Sequence, residues 1–184
     1  GSEMCIRDSL RPITEENLQA RLRGLLLMAL ANDEERVLLN TSNKSEAAVG
    51  YTTIYGDMCG GLSILGDVWK SEAYTLAQYI NREKEIIPNN IISKPPSAEL
   101  RPNQSDADEL PDYSALDPFL KEVIEGRKTL KTSTTTTLSK EEKERVYGLV
   151  ERAEWKRFQT PPVLRISHKA FGSGRRIPIV KRRS

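Results

Sequence analysis

The residues best suited to chemistry follow a short apolar run at 36–40, which we predict to be a buried strand. The polar segment 41–46 comes directly after that run and contains Thr41 and Glu46. Ligands of open parallel sheets bind beyond the carboxyl ends of the strands, where this segment would lie. Glu46 offers the oxygen atoms that Mg²⁺ prefers, and the Thr41 hydroxyl can hydrogen-bond a nucleotide. An ordinary strand-to-helix loop without a ligand remains the alternative.

A second polar group lies on the first predicted helix, which runs from Thr14, its predicted N-cap, to about Ala31. Asn17 and Arg21 are four residues apart and therefore share one face of this helix. An amide beside a guanidinium can hold a carboxylate or a planar polar ligand, although a solvated helix flank has the same spacing. The helix is predicted to be amphipathic, with an apolar stripe of Leu18, Leu22, Leu25 and Ala29.

A third group combines Lys70 with the segment 94–97, in which two prolines precede Ser97. A lysine is a point charge suited to a phosphate, and the rigid Pro-Pro pair fixes the position of Ser97 at little entropic cost. Surface lysines are common, so this pattern alone is weak. The chain contains neither G-x-x-x-x-G-K-[ST] nor G-x-G-x-x-G, the glycine-rich loops that cradle phosphates.

The order of helix and strand predicts an α/β fold with a parallel sheet. A glycine-rich loop is expected at 41–66, with one short helix at 46–49. Asp67 is the predicted N-cap of a helix that ends at Asn81, and Asp117 is the predicted N-cap of another. Ser139 and Glu142 form the capping box of a last helix.

Composition excludes several classes of protein. The 184 residues include no apolar run near the roughly 20 residues that cross a bilayer, and no signal peptide is evident. Two cysteines fit a reducing compartment, so we expect a cytoplasmic protein. The single histidine, His168, rules out a multi-histidine metal site and disfavours a catalytic triad, because it lies in a basic tail. A net charge of +2 and few interleaved aromatic residues argue against nucleic acid as a partner.

The chain is expected to divide into a short amino-terminal segment and one domain. Residues 1–9 show no periodicity and are interpreted as extraneous or disordered. The rest, 10–184, is expected to be one domain, with a mobile threonine-rich connection at 129–138 and a basic tail at 165–184.

Longer strings carry more information than these spacings. They are ENLQARLR (16–23), TSNKSE (41–46), GYTTIYGDM (50–58), KPPSAELRP (94–102), EWKR (154–157) and RRIPI (175–179). In this order they resemble the synthetase domain of the glutamine-dependent NAD⁺ synthetases. The resemblance implies part of an adenine-nucleotide α-hydrolase-like (Rossmann-like) fold, with a parallel sheet, flanking helices and a helical carboxyl-terminal region.

The family resemblance also implies a ligase reaction. ATP adenylates the nicotinate carboxylate of deamido-NAD⁺ in the presence of Mg²⁺, and ammonia from a glutaminase domain then displaces AMP to give NAD⁺. A homodimer or higher homo-oligomer is implied as well. Another ATP-pyrophosphatase amidotransferase, related to GMP synthetase, is an alternative, and so is an inactive fragment that serves only in dimerisation.

Site roles are implied position by position. By resemblance, ATP contacts fall on Thr41, Lys70 and Ser97. Contacts to deamido-NAD⁺ fall on Asn17, Arg21, Glu46, Trp155 and Lys156. Glu46 matches an acidic position that serves either Mg²⁺ or deamido-NAD⁺, and both roles stay open.

One departure from the family pattern affects activity. The phosphate-binding motif Ser-Gly-Gly-x-Asp-Ser, expected before the first helix, does not occur in the 184 residues. We therefore interpret the chain as the carboxyl-terminal part of a larger enzyme, without the glutaminase domain, and expect little activity from it alone because the triphosphate loses its backbone N–H cradle.

Overall fold

The computed structural model describes residues 11–179, so the predictions for 1–9 and for the end of the basic tail lie outside the described residues. Helices and strands follow in a mixed order. They are α1 (Pro12–Asp33), β1 (Leu39–Asn40), α2 (Lys44–Val49), β2 (Leu62–Ser63), α3 (Lys70–Ile80), α4 (Asn89–Ser93), α5 (Tyr113–Ile124), α6 (Lys140–Arg152) and α7 (Glu154–Arg157), with a 3₁₀ turn at Asp106–Asp108. Within the described part no helix is long and apolar enough to cross a membrane.

The sheet is short and parallel. Leu39 of β1 pairs with Leu62 of β2, and Asn40 pairs with Ser63, which confirms the predicted parallel arrangement. The prediction of a buried strand at 36–40 is wrong, because Val37 and Leu39 are exposed and only Asn40 is fully buried. The amide of Asn40 points inward, where it donates to a backbone carbonyl and accepts from the Ser63 hydroxyl at 3.0 Å.

The buried face of α1 is not the predicted leucine stripe. Its buried residues are Glu16, Ala20 and Gly24, and a Cβ on Gly24 would lie 2.9 Å from the Gly56 carbonyl oxygen. The small residues therefore let the helix approach the 53–59 loop, and the leucines point outward. The helix also begins before Thr14, because Arg11 is the N-cap and Pro12 occupies the first position, which suits proline.

Two predicted N-caps are wrong for the same reason. The N-cap of α3 is Trp69, and the N-cap of α5 is Asp112, whose side chain accepts from the N–H of Ser114. Asp67 and Asp117 are instead almost fully buried, where their carboxylates bond distant parts of the chain. Each is a carboxylate near the start of a helix, so local sequence alone assigns it to the cap.

The core forms where α2, α5 and α6 meet. The capping box predicted for α6 is confirmed, since Ser139 and Glu142 bond each other's backbone N–H groups. By contrast α3 has no buried residue along its length, so its predicted apolar stripe does not enter the core. The largest buried apolar side chains of the core are Trp69, Leu116, Phe119, Leu120, Ile124, Val146 and Val150.

A buried ammonium group joins four segments of this core. Lys44 Nζ, at the start of α2, lies 2.8 Å from Asp67 Oδ1, 2.8 Å from Glu125 Oε1 and 2.9 Å from Ser167 Oγ. It also lies 4.8 Å from the centre of the Trp69 ring. Burial opposes ionisation of Asp67, but hydrogen bonds from Lys44, Ser167 and a second backbone N–H hold the pKa of that carboxyl below its usual value.

Residues of the threonine-rich segment 129–138 hydrogen-bond the carboxylate of Glu122. Glu122 of α5 accepts hydrogen bonds from the Ser133 hydroxyl and from the backbone N–H groups of Thr134 and Thr135. Hydrogen bonds, first of all from Lys128, lower the pKa of Glu122. Whether 129–138 is mobile stays a prediction.

We expect Lys44→Ala to lower the free energy of unfolding by about 3–5 kcal/mol, because it leaves the buried Asp67 carboxylate without its cation. The matched control is Lys121→Ala, which removes an exposed pair with Glu72 and should cost less than about 1 kcal/mol. Urea denaturation of both variants measures the two values. Equal losses would contradict a structural role for the buried ammonium.

Candidate functional site

One cavity of about 700 Å³ collects most of the residues that the sequence singled out. It lies between α1, the segment after β1, α2, the start of α3 and the 97–109 loop. Six of the eight predicted site residues line it: Asn17, Thr41, Glu46, Lys70, Ser97 and Lys156. Arg21 and Trp155 are not among the described residues that line it. A volume of this size is typical of small-molecule sites.

Glu46 and Lys70 form an ion pair on the cavity wall, with Lys70 Nζ 3.3 Å from Glu46 Oε1. The pair is positioned by the start of α2, where Asn43 and Glu46 form a capping box. Burial raises the pKa of Glu46, and the charge of Lys70 together with the hydrogen bonds of Asn43 opposes that shift. The pair thus places one carboxylate and one ammonium at a half-buried, polar surface.

The α1 side of the cavity is fixed by the loop at 53–56. Asn17 Oδ1 accepts a hydrogen bond from the Thr53 hydroxyl at 2.8 Å, so the oxygen of its amide already has a partner. Arg21 donates through Nε to the Ile54 carbonyl at 3.2 Å and lies outside the cavity. The predicted pairing of amide and guanidinium on one ligand is therefore not assembled here.

Lys156 reaches the cavity from α7 but is held by backbone oxygens. Its Nζ donates to the carbonyls of Gly50 and Thr52, at 2.8 Å and 2.7 Å. Burial lowers the pKa of Lys156, while the negative charge of Asp57 opposes the shift. Trp155 is 47% exposed and therefore does not belong to the core.

Sequence spacing missed an acidic and aromatic part of the cavity wall near the ion pair, where Lys70 Nζ lies 5.6 Å from the centre of the Tyr113 ring. Tyr51, Gln104, Asp106 and Glu109 line the cavity, and Asp106 Oδ2 accepts from the Tyr113 hydroxyl at 2.9 Å. Within 11–179, Asp106 Oδ1 is buried with no hydrogen-bond partner, which is rare for a buried carboxylate oxygen. In the sequence this region shows only as an acidic run at 106–112, a pattern typical of a loop and not of a particular site.

Mg²⁺ fits this site only in part. No cluster of three metal-ligating side chains exists in the described part of the chain, and Glu46 is the one predicted ligand. Magnesium sites near phosphates often use one or two carboxylates and complete the coordination with substrate oxygens and water. Glu46 can therefore contribute one ligand, while a nucleotide would have to supply others.

Comparison with known proteins gives a family match. The sequence model of a family described as NAD synthase matches residues 2–160. A glutamine-dependent NAD(+) synthetase of Acinetobacter baylyi is 50% identical over 169 residues, which are 91% of this chain and 31% of that protein. The chain spans about 30% of the length of the curated relatives it matches.

Solved structures give the fold. An NMN synthetase from Francisella tularensis has a TM-score of 0.64 at 28% identity, over 80% of this chain and 55% of that one. A glutamine-dependent NAD(+) synthetase from Cytophaga hutchinsonii has a TM-score of 0.71 at 24% identity, over 92% of this chain and 28% of that one, and shows the fold alone. The predicted adenine-nucleotide α-hydrolase-like fold is confirmed.

Gly50 is the point at which a single methyl group should disturb the cavity. Its φ is +72°, and an added Cβ would lie 2.7 Å from Ala153 Cβ. We expect Gly50→Ala to lower the free energy of unfolding by about 2–4 kcal/mol. An alanine is strained in the left-handed backbone conformation, and its Cβ would also overpack against Ala153.

The matched control is Gly172→Ala. That residue has φ of +82° with nothing within 4 Å of the added Cβ, so it tests the backbone cost alone, about 1 kcal/mol. Urea denaturation compares the two variants. A loss at Gly50 no larger than at Gly172 would show that the contact with Ala153 relaxes freely.

Proposed function

This chain belongs to the NAD synthase family, and from that premise we propose that it acts as part of a glutamine-dependent NAD⁺ synthetase. In the proposed reaction a carboxylate oxygen of deamido-NAD⁺ attacks the α-phosphorus of ATP, and pyrophosphate leaves. Ammonia then attacks the carbonyl carbon of the mixed anhydride, and the bond to AMP breaks to give the amide. The ammonia comes from a glutaminase domain, as the names of the relatives suggest.

The observation that carries the proposal is the convergence of six residues, assigned by resemblance, on one cavity. They come from α1, the end of β1, α2, α3, a loop and α7, so sequence proximity does not explain their meeting. The Lys70 ammonium suits a phosphate, and the Thr41 and Ser97 hydroxyls suit a nucleotide. The task of these groups is alignment of carboxylate and phosphorus, which is chiefly a matter of orientation.

Mg²⁺ belongs to the proposal as a partner of Glu46. When bound, it would neutralise charge that develops on the phosphates. Glu46 would contribute an oxygen, and the neighbouring Lys70 ammonium would face the phosphate. The alternative, that Glu46 contacts deamido-NAD⁺ directly, uses the same side chain without the metal.

A second substrate is favoured by one observation. The similarity to an NMN synthetase makes nicotinate mononucleotide, the acid counterpart of NMN, a candidate in place of deamido-NAD⁺. The first reading is favoured because the identity to NAD(+) synthetases reaches 50%, against 28% to that enzyme. A cytoplasmic location accompanies either reading and rests on the two cysteines.

We also propose that a second copy of the chain covers α1. The 22-residue helix is about 33 Å long, and its second half exposes an unbroken run of apolar side chains at 25–30. Exposed patches of this size mark interaction surfaces, and a helix of this length repeated in two copies can supply the area of a standard interface. The exposed residues are Ile13, Leu18, Leu22, Leu25, Leu26, Leu27, Met28 and Leu30.

Ligand binding to the 184-residue chain tests the function. We expect calorimetry to detect binding of ATP in the presence of Mg²⁺ and binding of deamido-NAD⁺. It should detect no binding of xanthylate, the ligand of the alternative amidotransferase. Lys70→Met should weaken the binding of ATP roughly 10-fold, because it removes one charge from the phosphate site. The affinity for deamido-NAD⁺ should change by no more than about twofold.

Lys121→Met is the control, since it removes an exposed lysine outside the cavity. Tighter binding of nicotinate mononucleotide than of deamido-NAD⁺ would favour the second substrate. Absence of heat with every nucleotide would contradict the proposal for this chain and favour a fragment that only dimerises. With ammonia added, we expect little turnover, because the chain has no Ser-Gly-Gly-x-Asp-Ser motif.

Sedimentation tests the dimer. We expect the unaltered chain to sediment as a dimer and Leu25→Lys to sediment as a monomer, because a charge in an apolar interface lacks solvation. Leu25 is 65% exposed, so the folded protomer tolerates the change. Leu76→Lys, on the exposed face of α3, is the control. A monomeric unaltered chain would contradict this part of the proposal.

A further inference from the structure

Side chains of two other helices bond the first N–H groups of α3. A helix leaves these groups without partners of its own, and Trp69, the N-cap, offers no side-chain oxygen. Instead the Ser45 hydroxyl of α2 accepts from the N–H of Lys70 at 2.9 Å. Asp117 Oδ2 of α5 accepts from the N–H of Ser71, also at 2.9 Å. The start of α3 is thereby fixed to both neighbouring helices.

Asp117 also sets the orientation of Ser45. Its other oxygen, Oδ1, accepts from the Ser45 hydroxyl at 2.6 Å, so the hydroxyl proton is engaged and a lone pair faces Lys70 N–H. Asp117 is 1% exposed and Ser45 is buried, so water has little access to replace either bond. Neither residue is among those that line the cavity.

This arrangement places two cavity side chains relative to each other. Glu46 directly follows Ser45 on α2, and Lys70 carries the N–H that Ser45 accepts. Their side chains meet at 3.3 Å on the cavity wall. Because the backbones of α2 and α3 are joined one residue away from Glu46, the ion pair depends on the bonds made by Ser45.

We propose that Asp117 is a positioning residue that acts through Ser45 to hold Lys70 opposite Glu46 at the nucleotide site. The proposal rests on the proposed function, which assigns Lys70 to ATP and Glu46 to Mg²⁺ or deamido-NAD⁺. Asp117 does not touch the ligand. It keeps the two charges in place before binding, so less ordering of side chains accompanies the arrival of the nucleotide.

A double-mutant cycle on the chain without nucleotide tests the positioning. The coupling between Lys70 and Glu46 is measured by urea denaturation, from Lys70→Met, Glu46→Gln and their combination. The same cycle is then repeated in chains that also carry Ser45→Ala, Asp117→Asn or Asp112→Asn. Asp112→Asn is the matched control, since it makes the same chemical change at the exposed N-cap of the same helix.

We expect the coupling free energy between Lys70 and Glu46 to fall at least about twofold in the Ser45→Ala and Asp117→Asn chains. It should be unchanged in the Asp112→Asn chain. A general loss of stability does not produce this result, because each cycle subtracts the stability of its own background. An unchanged coupling in the Ser45→Ala chain would overturn the proposal. Ser45→Ala removes a single hydroxyl and decides the matter if Asp117→Asn does not fold.

Binding of ATP with Mg²⁺ gives a second, independent readout. Asp117→Asn and Ser45→Ala should each weaken ATP roughly 10-fold, and should weaken it no further in a Lys70→Met background. An undiminished effect in that background would mean that Asp117 acts by another route and would overturn the proposal. If the unaltered chain binds no ATP, the proposed function fails, while the nucleotide-free cycle still decides the positioning role.

Discussion

The burial of the Lys44 ammonium is the constraint on which the rest of this structure depends. A buried cation must be surrounded by acceptors, and here Asp67, Glu125 and Ser167 supply them from three separate segments. The next residues of α2 continue the pattern, since Ser45 bonds α5 and the start of α3 and Glu46 pairs with the first side chain of α3. Three consecutive residues of α2 thus join the core to the cavity wall.

Features of the fold that depend on residues close together in the chain could be predicted from the sequence. Side-chain contacts between distant segments could not. The capping box at Ser139 and the end of α3 at Asn81 were predictable because each depends on neighbouring residues, and the parallel sheet was predicted from the order of helix and strand. Asp67 and Asp117 were misassigned as helix caps because their true partners lie 99 and 72 positions away. Spacing carries no information at that distance, so buried carboxylates look like surface ones.

The candidate site divides in the same way. Resemblance of strings selected Asn17, Thr41, Glu46, Lys70, Ser97 and Lys156, and these residues share one cavity. Asp106 was not selected, because its burial depends on Tyr113 and on the fold of its loop. On α1, helical periodicity located a leucine stripe but not its direction, which is set by the close approach of Gly24 to the 53–59 loop.

The bonds between Asp67 and the backbone at 166–167 have a consequence for the order of events during synthesis. A ribosome that adds 5 to 20 residues per second takes on the order of 5–20 s to travel from residue 67 to residue 167. Throughout that interval the ammonium of Lys44 lacks the Ser167 hydroxyl as a hydrogen-bond acceptor, and β2 lacks the bridge from Ser63 to Val163. The surroundings of α2 are therefore complete only after residue 167 has been synthesised, and the cavity wall that α2 carries stays incomplete until then.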